Sequence, residues 1–216
     1  MESTKIKEQL LSALKTGFID ENHLSNPEYV PEILINDQSR NKKVLSAIQR
    51  ELSECDNFII SAAFLTMSGF ASLSNKLYEL REKGVKGKIL VSQYLNFTEP
   101  EALKRLLDFG NISSKIVTED DFHSKGFLFK KGNYYTLIIG SSNLTAKALS
   151  TNQEWNLKVK AHKDSELIKS FQNEFHIAYK KAIEITEEYI GEYAAIYDNR
   201  IRSELNLKNI NEKNVT

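Results

Sequence analysis

The apolar residues of this chain recur with periods that alternate between those of strands and those of helices. Short apolar runs predict buried strands, and segments with an apolar residue every three or four positions predict amphipathic helices. Between residues 57 and 117 the two kinds alternate, with strands predicted at 58–64, 88–91 and 112–117 and helices at 68–83 and 99–109. Strand–helix–strand order is typical of parallel strands joined by crossover helices.

After residue 117 the pattern changes to strands that are separated by turn residues. Strands are predicted at 125–130, 134–139 and 153–160, with a turn at Gly132-Asn133. The remaining apolar patterns predict a short strand at 33–35 and helices at 3–15, 41–53, 165–181 and 185–205. Three of the predicted helices are expected to be capped by the side chains of Ser68, Thr98, and either Asp164 or Ser165.

These elements together predict an α/β domain at residues 33–184, built on a mixed, largely parallel sheet with helices on both faces. Residues 1–32 would then form an N-terminal helical extension. Residues 185–216 would form a C-terminal helix followed by a linker tail. The tail is expected to be disordered, because residues 206–216 are rich in Asn and Lys.

Composition narrows the class of protein. The 216 residues are 41% hydrophobic and include only 9 Gly and 3 Pro, which favours a folded domain over low-complexity sequence. The single cysteine, Cys55, excludes an internal disulfide and a cysteine-based zinc site. We find neither the apolar segment of a signal peptide nor an apolar run of about 18 residues, so we expect a cytoplasmic protein without membrane contact.

Charge is balanced over the whole chain but not along it. The formal net charge is zero, so composition alone does not indicate affinity for nucleic acid. Residues 121–163, however, contain seven lysines and only two acidic residues. This local excess suits a substrate that carries phosphate, although lysines exposed on strands are common in other proteins as well.

The most informative chemistry lies between His123 and Glu154. His123 and Lys125 are two residues apart, which on a strand places both side chains on the same face. A neutral imidazole can attack phosphorus and form a phosphohistidine, while a lysine provides fixed positive charge for the phosphate oxygens. Asn143 and Ser141, which belong to a Gly-Ser-Ser-Asn turn, can donate hydrogen bonds to other phosphate oxygens. Glu154 can orient the His123 ring and stabilise its charged form.

Each of these residues also has a structural interpretation. A lone histidine beside a strand is more often structural or solvated, Gly-Ser-Ser-Asn alone is a turn signal, and strand lysines and glutamates often pair with each other. The other histidines, His23, His162 and His176, do not show the spacing of a metal site. The combination of His, Lys, Asn and Glu favours a phosphoryl-transfer site, for which we expect neither a metal nor a cofactor.

The element His123-x-Lys125, followed by Gly-Ser-Ser-Asn and then Glu154, resembles the HKD motif of the phospholipase D superfamily. The resemblance covers 32 residues directly, from His123 to Glu154. The α/β pattern of residues 33–180 also fits the phospholipase D-like fold that the resemblance implies. One residue departs from the family, which usually has an Asp at the position of Lys130. That Asp is regarded as structural, so the departure concerns the strand more than the chemistry.

Within this superfamily, the sequence Glu154-Trp155-Asn156 is similar to the bacterial nuclease branch. That branch includes restriction endonucleases and nuclease-like domains at the N-terminus of DEAD/DEAH-box helicases. The resemblance therefore implies a metal-independent nuclease that acts on DNA. It also implies a C-terminal helicase domain as a partner, if this chain is part of a longer protein.

The motif occurs once in the chain. Family members generally combine two motifs, with one histidine as nucleophile and the other as general acid. The resemblance therefore implies a homodimer that forms one composite site through its active-site face. The predicted catalytic residues are His123, Lys125, Asn143, Glu154 and Ser141, and the residues expected to contact the substrate are Lys130, Lys147, Ser142 and Thr145.

Two other functions stay open on the sequence alone. One is a DNA-binding or dimerisation module of a larger helicase that has kept the fold but little activity, which Lys130 and the neutral charge favour. The other, phospholipid hydrolysis, is weaker because the sequence has neither an apolar membrane-docking stretch nor a second motif. No zinc-finger or helix-turn-helix pattern predicts how base edges would be read.

Overall fold

The computed structural model describes residues 4–8, 29–119 and 121–213. Within this part of the chain we number the strands β1 to β8 and the α-helices from residue 29 onward α1 to α6. In chain order these are β1 (Glu32–Leu34), α1 (Val44–Glu54), β2 (Asn57–Ser61), α2 (Met67–Glu82), β3 (Lys86–Ser92), α3 (Pro100–Leu107), β4 (Ile112–Val117), β5 (Gly126–Lys131), β6 (Tyr134–Gly140), α4 (Ala146–Ser150), β7 (Asn156–His162), α5 (Glu166–Lys181), β8 (Ile183–Glu184) and α6 (Glu187–Lys213). A 3-10 helix, Tyr94–Asn96, follows β3.

The strands form one mixed sheet in the order β1-β7-β6-β5-β2-β3-β4-β8. A mixed sheet is confirmed, but the expectation that it is largely parallel is corrected. Among the described strands, only β2–β3 and β3–β4 pair in parallel, and the other five pairs are antiparallel. Connection length explains part of this difference. The turn at Gly132-Asn133 joins β5 directly to β6, whereas a parallel pair needs a crossover of about a dozen residues or more.

Helices cover both faces of the sheet, as predicted. Side chains alternate along each strand, so Phe127 and Phe129 of β5 point into the larger core, which includes residues of α1, α2, α3 and α6. Leu128 of the same strand points to the opposite face, where it packs with Ile168 of α5. The α5 helix thus covers one face, and the remaining long helices cover the other.

Two of the predicted helix caps, those by Ser68 and Thr98, are not formed. Thr66, not Ser68, caps α2, because its hydroxyl accepts a hydrogen bond from a backbone N–H of the first turn. Thr98 does not cap α3, since its hydroxyl donates to the carbonyl oxygen of Ser92 at 2.7 Å. Ser165, one of the two predicted alternatives, caps α5.

The structure describes part of each end of the chain, where the sequence predicts a helix and a disordered tail. Of the helix predicted at 3–15, residues 4–8 are helical, and the remainder lies outside the described residues. The disorder predicted for 206–216 is corrected for residues 206–213, because α6 continues to Lys213; residues 214–216 lie outside the described residues.

The α6 helix is tied to the rest of the fold through its first turns. Ile190 and Tyr193 belong to the larger core, and the Tyr193 hydroxyl donates to the carbonyl oxygen of Thr98 at 2.8 Å. The domain boundaries predicted at residues 33 and 185 stay predictions. Among the helices that the structure describes, none combines the length and the apolar character needed to cross a bilayer.

Candidate active site

Several chain segments meet at one end of the central strands. β5 begins at Gly126, directly after His123 and Lys125, and pairs antiparallel with β6, so the start of β5 meets the end of β6. The turn 140–143 follows at that end. β2 ends at the same level, because its last residue, Ser61, pairs with Gly126. The topology therefore brings the predicted catalytic residues to one place.

His123 and Lys125 lie side by side in the segment that precedes β5, rather than in the strand itself. The Nζ atom of Lys125 lies 3.0 Å from Nδ1 of His123 and donates to the carbonyl oxygen of His123 at 2.6 Å. Lys125 is buried, with 8% of its surface exposed, whereas His123 is exposed. A fixed positive charge thus lies directly behind an accessible imidazole ring.

The surroundings determine the protonation of both side chains. Loss of solvent lowers the pKa of Lys125 from its ordinary value, and the charge of Glu154 opposes this shift. Partial loss of solvent also lowers the pKa of His123, and the charge of Lys125 lowers it further. The His123 ring is therefore neutral near pH 7. Because an ammonium group can only donate, Nδ1 accepts from Lys125 and the neutral ring carries its proton on Nε2.

Glu154 contacts Ser141 rather than His123. The Ser141 hydroxyl donates to the carboxylate of Glu154 and accepts from the backbone N–H of Trp155 at 3.1 Å. Gly140 permits this close approach, because a Cβ atom there would lie 2.2 Å from the carbonyl oxygen of Trp155. Within one chain, the predicted orientation of the His123 ring by Glu154 is therefore not formed.

Asn143 connects the turn to the end of β2. Its Oδ1 atom accepts hydrogen bonds from the backbone N–H groups of Ala63 and Phe64, both at 3.1 Å. The next residue, Leu144, donates its backbone N–H to the carbonyl oxygen of Phe64 at 3.1 Å. Because the amide oxygen is used in this way, the amide nitrogen of Asn143 is the group left to donate to a substrate.

The four predicted substrate contacts are placed differently from one another. Ser142 is fully buried, and its hydroxyl accepts a hydrogen bond from Asn156 at 2.9 Å, so it lies beneath the site. Thr145 caps α4. Lys147 is exposed on that helix. Lys130 lies five residues beyond Lys125, which along a strand is about 17 Å from it.

Acidic residues elsewhere in the chain pair with part of the lysine-rich segment. Lys131 pairs with Glu54 at 2.6 Å, and Lys158 pairs with Glu51 at 3.1 Å. These two ion pairs neutralise lysine charges that are expected from the sequence to attract a phosphate-bearing substrate. At the candidate site, Lys125 provides positive charge directly beside His123.

Sequence reasoning missed the aromatic rings beside His123. The ring centres of Tyr94 and Phe64 lie 4.9 and 5.7 Å from that of His123. Tyr94 follows β3 and Phe64 follows β2, two strands that run parallel. In α/β sheets, ligands bind at the carboxyl ends of parallel strands. Applied to the strands predicted at 58–64 and 88–91, this rule would have identified Phe64 and Tyr94 as residues near the site.

A cavity of about 880 Å³ lies between the sheet and α5 and reaches His123 and Lys125. Much of its wall is apolar, including Phe171 and Phe175 of α5. Acidic residues, among them Asp121, also line it. Within the described residues, no group of three or more His, Cys, Asp or Glu side chains is placed to hold a metal ion.

Comparison with known proteins identifies a matching family model and similar folds. Residues 48–178 match the model of the family described as cardiolipin synthase, PLD-like domain. The fold is similar to that of Nuc from Salmonella typhimurium, a phospholipase D family member, with 21% identity and a TM-score of 0.54 over 72% of this chain and 98% of that one. It is similar to NucT from Helicobacter pylori, with 15% identity and a TM-score of 0.55 over 72% and 99%.

Phosphatidylserine synthase from Haemophilus influenzae shares the fold at 14% identity and a TM-score of 0.57, over 81% of this chain and 46% of that one. At these identities the structural comparisons show the fold alone. No curated protein sequence matches the chain.

Proposed function

The chain belongs to the phospholipase D superfamily, with a PLD-like domain, and we propose that it is a metal-independent phosphodiesterase that cleaves DNA through a phosphohistidine. The observation that carries this proposal is the pair of His123 and Lys125. An exposed imidazole, neutral near pH 7, lies against a buried ammonium group. This arrangement offers a nucleophile together with charge for the phosphate that it attacks.

The reaction proceeds in two balanced steps. A ring nitrogen of His123 forms a bond to phosphorus while the bond from phosphorus to the leaving oxygen breaks, and that oxygen takes up a proton. Water then attacks phosphorus and gives a proton to the group that protonated the leaving oxygen, the nitrogen–phosphorus bond breaks, and the ring regains its lone pair. Lys125, together with the free amide N–H groups of Asn143, stabilises the negative charge that develops on the phosphate oxygens.

The proposal includes a homodimer, because one chain supplies too few groups for both steps. A single histidine cannot act as the nucleophile and also protonate the leaving oxygen in the same step. In addition, Nδ1 of His123 accepts from Lys125, so attack through Nε2 requires the ring proton to move. A second copy facing the first across a two-fold axis supplies the second histidine.

Exposed apolar residues next to the turn support an interface on this face. Trp155 is 78% exposed, Ile139 is 44% exposed and Leu157 is 39% exposed. Ile139 and Leu157 are direct cross-strand partners on β6 and β7, and they lie on the same face of the sheet. Large apolar side chains grouped in this way are typical of surfaces that another protein covers.

Cleavage of labelled DNA in the presence of EDTA tests the catalytic part of the proposal. We expect His123→Ala and Lys125→Ala each to lower the rate by about 10²–10⁴-fold, the usual loss for a positioned acid–base or charged group. His162→Ala is the matched control, because His162 is exposed at the far end of β7. Complete inhibition by EDTA, or full activity of His123→Ala, contradicts the mechanism.

Light scattering tests the dimer. Leu157→Arg is expected to produce a monomer that no longer cleaves DNA. Leu107→Arg, at an equally exposed leucine on α3, is expected to change neither property. A wild-type monomer that cleaves DNA refutes the composite site.

We place this nuclease in a restriction or helicase system, on the resemblance of Glu154-Trp155-Asn156 to that branch. Cleavage of a plasmid at fixed positions would support a restriction role. If the protein binds DNA in a gel shift without cutting it, the alternative of a DNA-binding or dimerisation module is preferred.

A second function, phospholipid cleavage, is favoured by one observation. The cavity that reaches His123 and Lys125 has a volume of about 880 Å³ and a largely apolar wall, so an acyl chain fits its chemistry. Release of choline from phosphatidylcholine vesicles, dependent on His123, would support this function. Absence of choline release alongside DNA cleavage rejects it.

A further inference from the structure

Three aromatic residues form a continuous cluster that starts at the reactive ring. Phe64, Tyr94 and Phe97, here termed the aromatic cluster, are linked by ring contacts of 6.0 Å (Phe64–Tyr94) and 5.2 Å (Phe64–Phe97) between centres. Both Phe64 and Tyr94 also contact the His123 ring. None of the three lines the cavity under α5. The cluster is therefore a second surface that meets the site, separate from that cavity.

Phe97 is the outer member of the cluster, exposed and yet held in place. It is 38% exposed. The guanidinium carbon of Arg200, on α6, lies 4.5 Å from the centre of the Phe97 ring. Arg200 is also paired with Glu204 at 2.7 Å. The cation–π contact of Arg200 holds the Phe97 ring in its orientation.

The turn that carries the cluster has an uncommon backbone. Leu95 and Asn96 both adopt positive φ, at 50° and 55°. Non-glycine residues in this region are unusual, and they concentrate where a binding site requires a particular chain path. Here the turn exposes Leu95 and keeps the rings on either side of it, Tyr94 and Phe97, in contact with Phe64.

We propose that the aromatic cluster stacks an unpaired base of the DNA strand being cut, so that the substrate is single-stranded or locally unpaired DNA. This inference rests on the proposed function and, of the two systems named there, it fits a helicase system, which produces unpaired strands, rather than a restriction system that cuts duplex DNA. Every base has a flat π face, so stacking on an aromatic side chain accepts any sequence. In a duplex these faces are covered by neighbouring base pairs, and a base has to leave the stack to reach a protein ring. The base beside the scissile phosphate is the one that reaches the cluster when that phosphate lies at His123.

The test measures kcat/KM on three substrates: a single-stranded oligonucleotide, the same strand in a duplex, and an abasic oligomer of equal length. Wild-type protein is expected to prefer the single strand over the other two. Phe97→Ala is expected to lower kcat/KM on the single strand by about 5- to 150-fold, the range that one base–aromatic stack provides. The same substitution should leave cleavage of the abasic oligomer unchanged.

Further variants separate stacking from folding. Phe97→Trp keeps an aromatic face and should retain activity on the single strand, whereas Phe97→Leu keeps only apolar bulk and should behave like Phe97→Ala. Tyr78→Ala is the matched control, because Tyr78 is 39% exposed and lies under a guanidinium, that of Arg81, at 5.0 Å. It is remote from His123 on α2 and should retain full activity.

The outcomes are distinguishable. Equal loss of activity on natural and abasic strands, equal wild-type cleavage of single strand and duplex, or dissociation of the dimer by Phe97→Ala each overturns the inference. The last result would assign the ring to the subunit interface instead. Absence of His123-dependent cleavage on all three substrates overturns the proposed function itself.

Discussion

At Asn143, a structural role and a catalytic role can be tested separately, because different atoms of the amide group perform them. Its amide oxygen accepts two backbone hydrogen bonds, from Ala63 and Phe64, each at 3.1 Å. Its amide nitrogen is available to a phosphate oxygen. Substitution by Asp keeps the acceptor and removes the donor, whereas substitution by Ala removes both.

The magnitudes follow from these contacts. A hydrogen bond contributes about 0.5–1.5 kcal/mol net, and an N–H group left unpaired in the interior costs about 1–3 kcal/mol. Ala63 is fully buried, so Asn143→Ala should lower the free energy of unfolding by about 2–3 kcal/mol. For a chain of this length, that corresponds to about 4–12 °C in Tm. Asn143→Asp should stay near wild type in stability, because a carboxylate accepts the same two bonds at least as strongly.

Catalytic activity should depend on the amide nitrogen of Asn143. Both variants lose the donor, and we expect both to lose about 10²–10³-fold in kcat, the usual effect of removing one oxyanion donor. Urea denaturation followed by circular dichroism measures stability, and cleavage of labelled DNA at 25 °C measures activity. Asn111→Ala serves as the control, since Asn111 is a buried asparagine at the opposite end of the sheet that donates to the carbonyl oxygen of Val85 at 2.7 Å. It should lose stability without losing activity.

Two results would refute this reasoning. Wild-type stability of Asn143→Ala would show that the two accepted bonds do not hold the turn to β2. Wild-type activity of Asn143→Asp would show that the amide nitrogen does not contact the phosphate, because a negative oxygen in its place would repel it.

The other predictions concern protonation and packing. The lowered pKa of His123 means that the neutral, nucleophilic ring persists below pH 6.5, so loss of the nucleophile should lower the rate only as the pH drops through a value under 6.5. Loss of the proton on the second copy's histidine, the general acid, should lower the rate on the alkaline side. Titration by NMR should show the pKa of His123 rising in Lys125→Met while staying below 6.5, because loss of solvent is the larger cause. Gly69→Ala should destabilise the fold by about 1–3 kcal/mol or more in urea denaturation, since its Cβ would lie 1.8 Å from the carbonyl oxygen of Leu144. Gly110→Ala, with open space around it, should not.

The sequence was most informative where the signal is local. The strand predicted at 112–117 is β4, Ile112–Val117, with the predicted bounds, and His123 with Lys125 meets the turn 140–143 as the motif suggested. Both results depend on residues close together in the chain. β8 was missed because its two residues, which pair only with Lys115 and Ile116, are too few to show a period.

Other features depend on contacts between distant segments, and no local pattern contains them. On the sequence, Ser142 is expected to contact the substrate. It is buried because β6 pairs with β7 and brings Asn156 against it, at 2.9 Å between Nδ2 and Oγ. The aromatic rings at His123 come from the ends of β2 and β3, more than 25 residues upstream, and they meet it only through the strand order.

The departure from the family motif at Lys130 can be interpreted in the same way. Lys130 lies near the far end of β5, about 17 Å along the strand from Lys125, so its charge acts on the sheet end and not on the phosphate. A carboxylate is present at that end, but a different residue supplies it. Asp56 donates its backbone N–H to the carbonyl oxygen of Lys130 at 2.7 Å, and its Oδ2 accepts from the backbone N–H of Gly132 at 2.7 Å. Asp56 thus binds both β5 and the turn that follows it. The hairpin is therefore supported, and the geometry at His123 is kept, even though Lys130 replaces the Asp that is usual in the family.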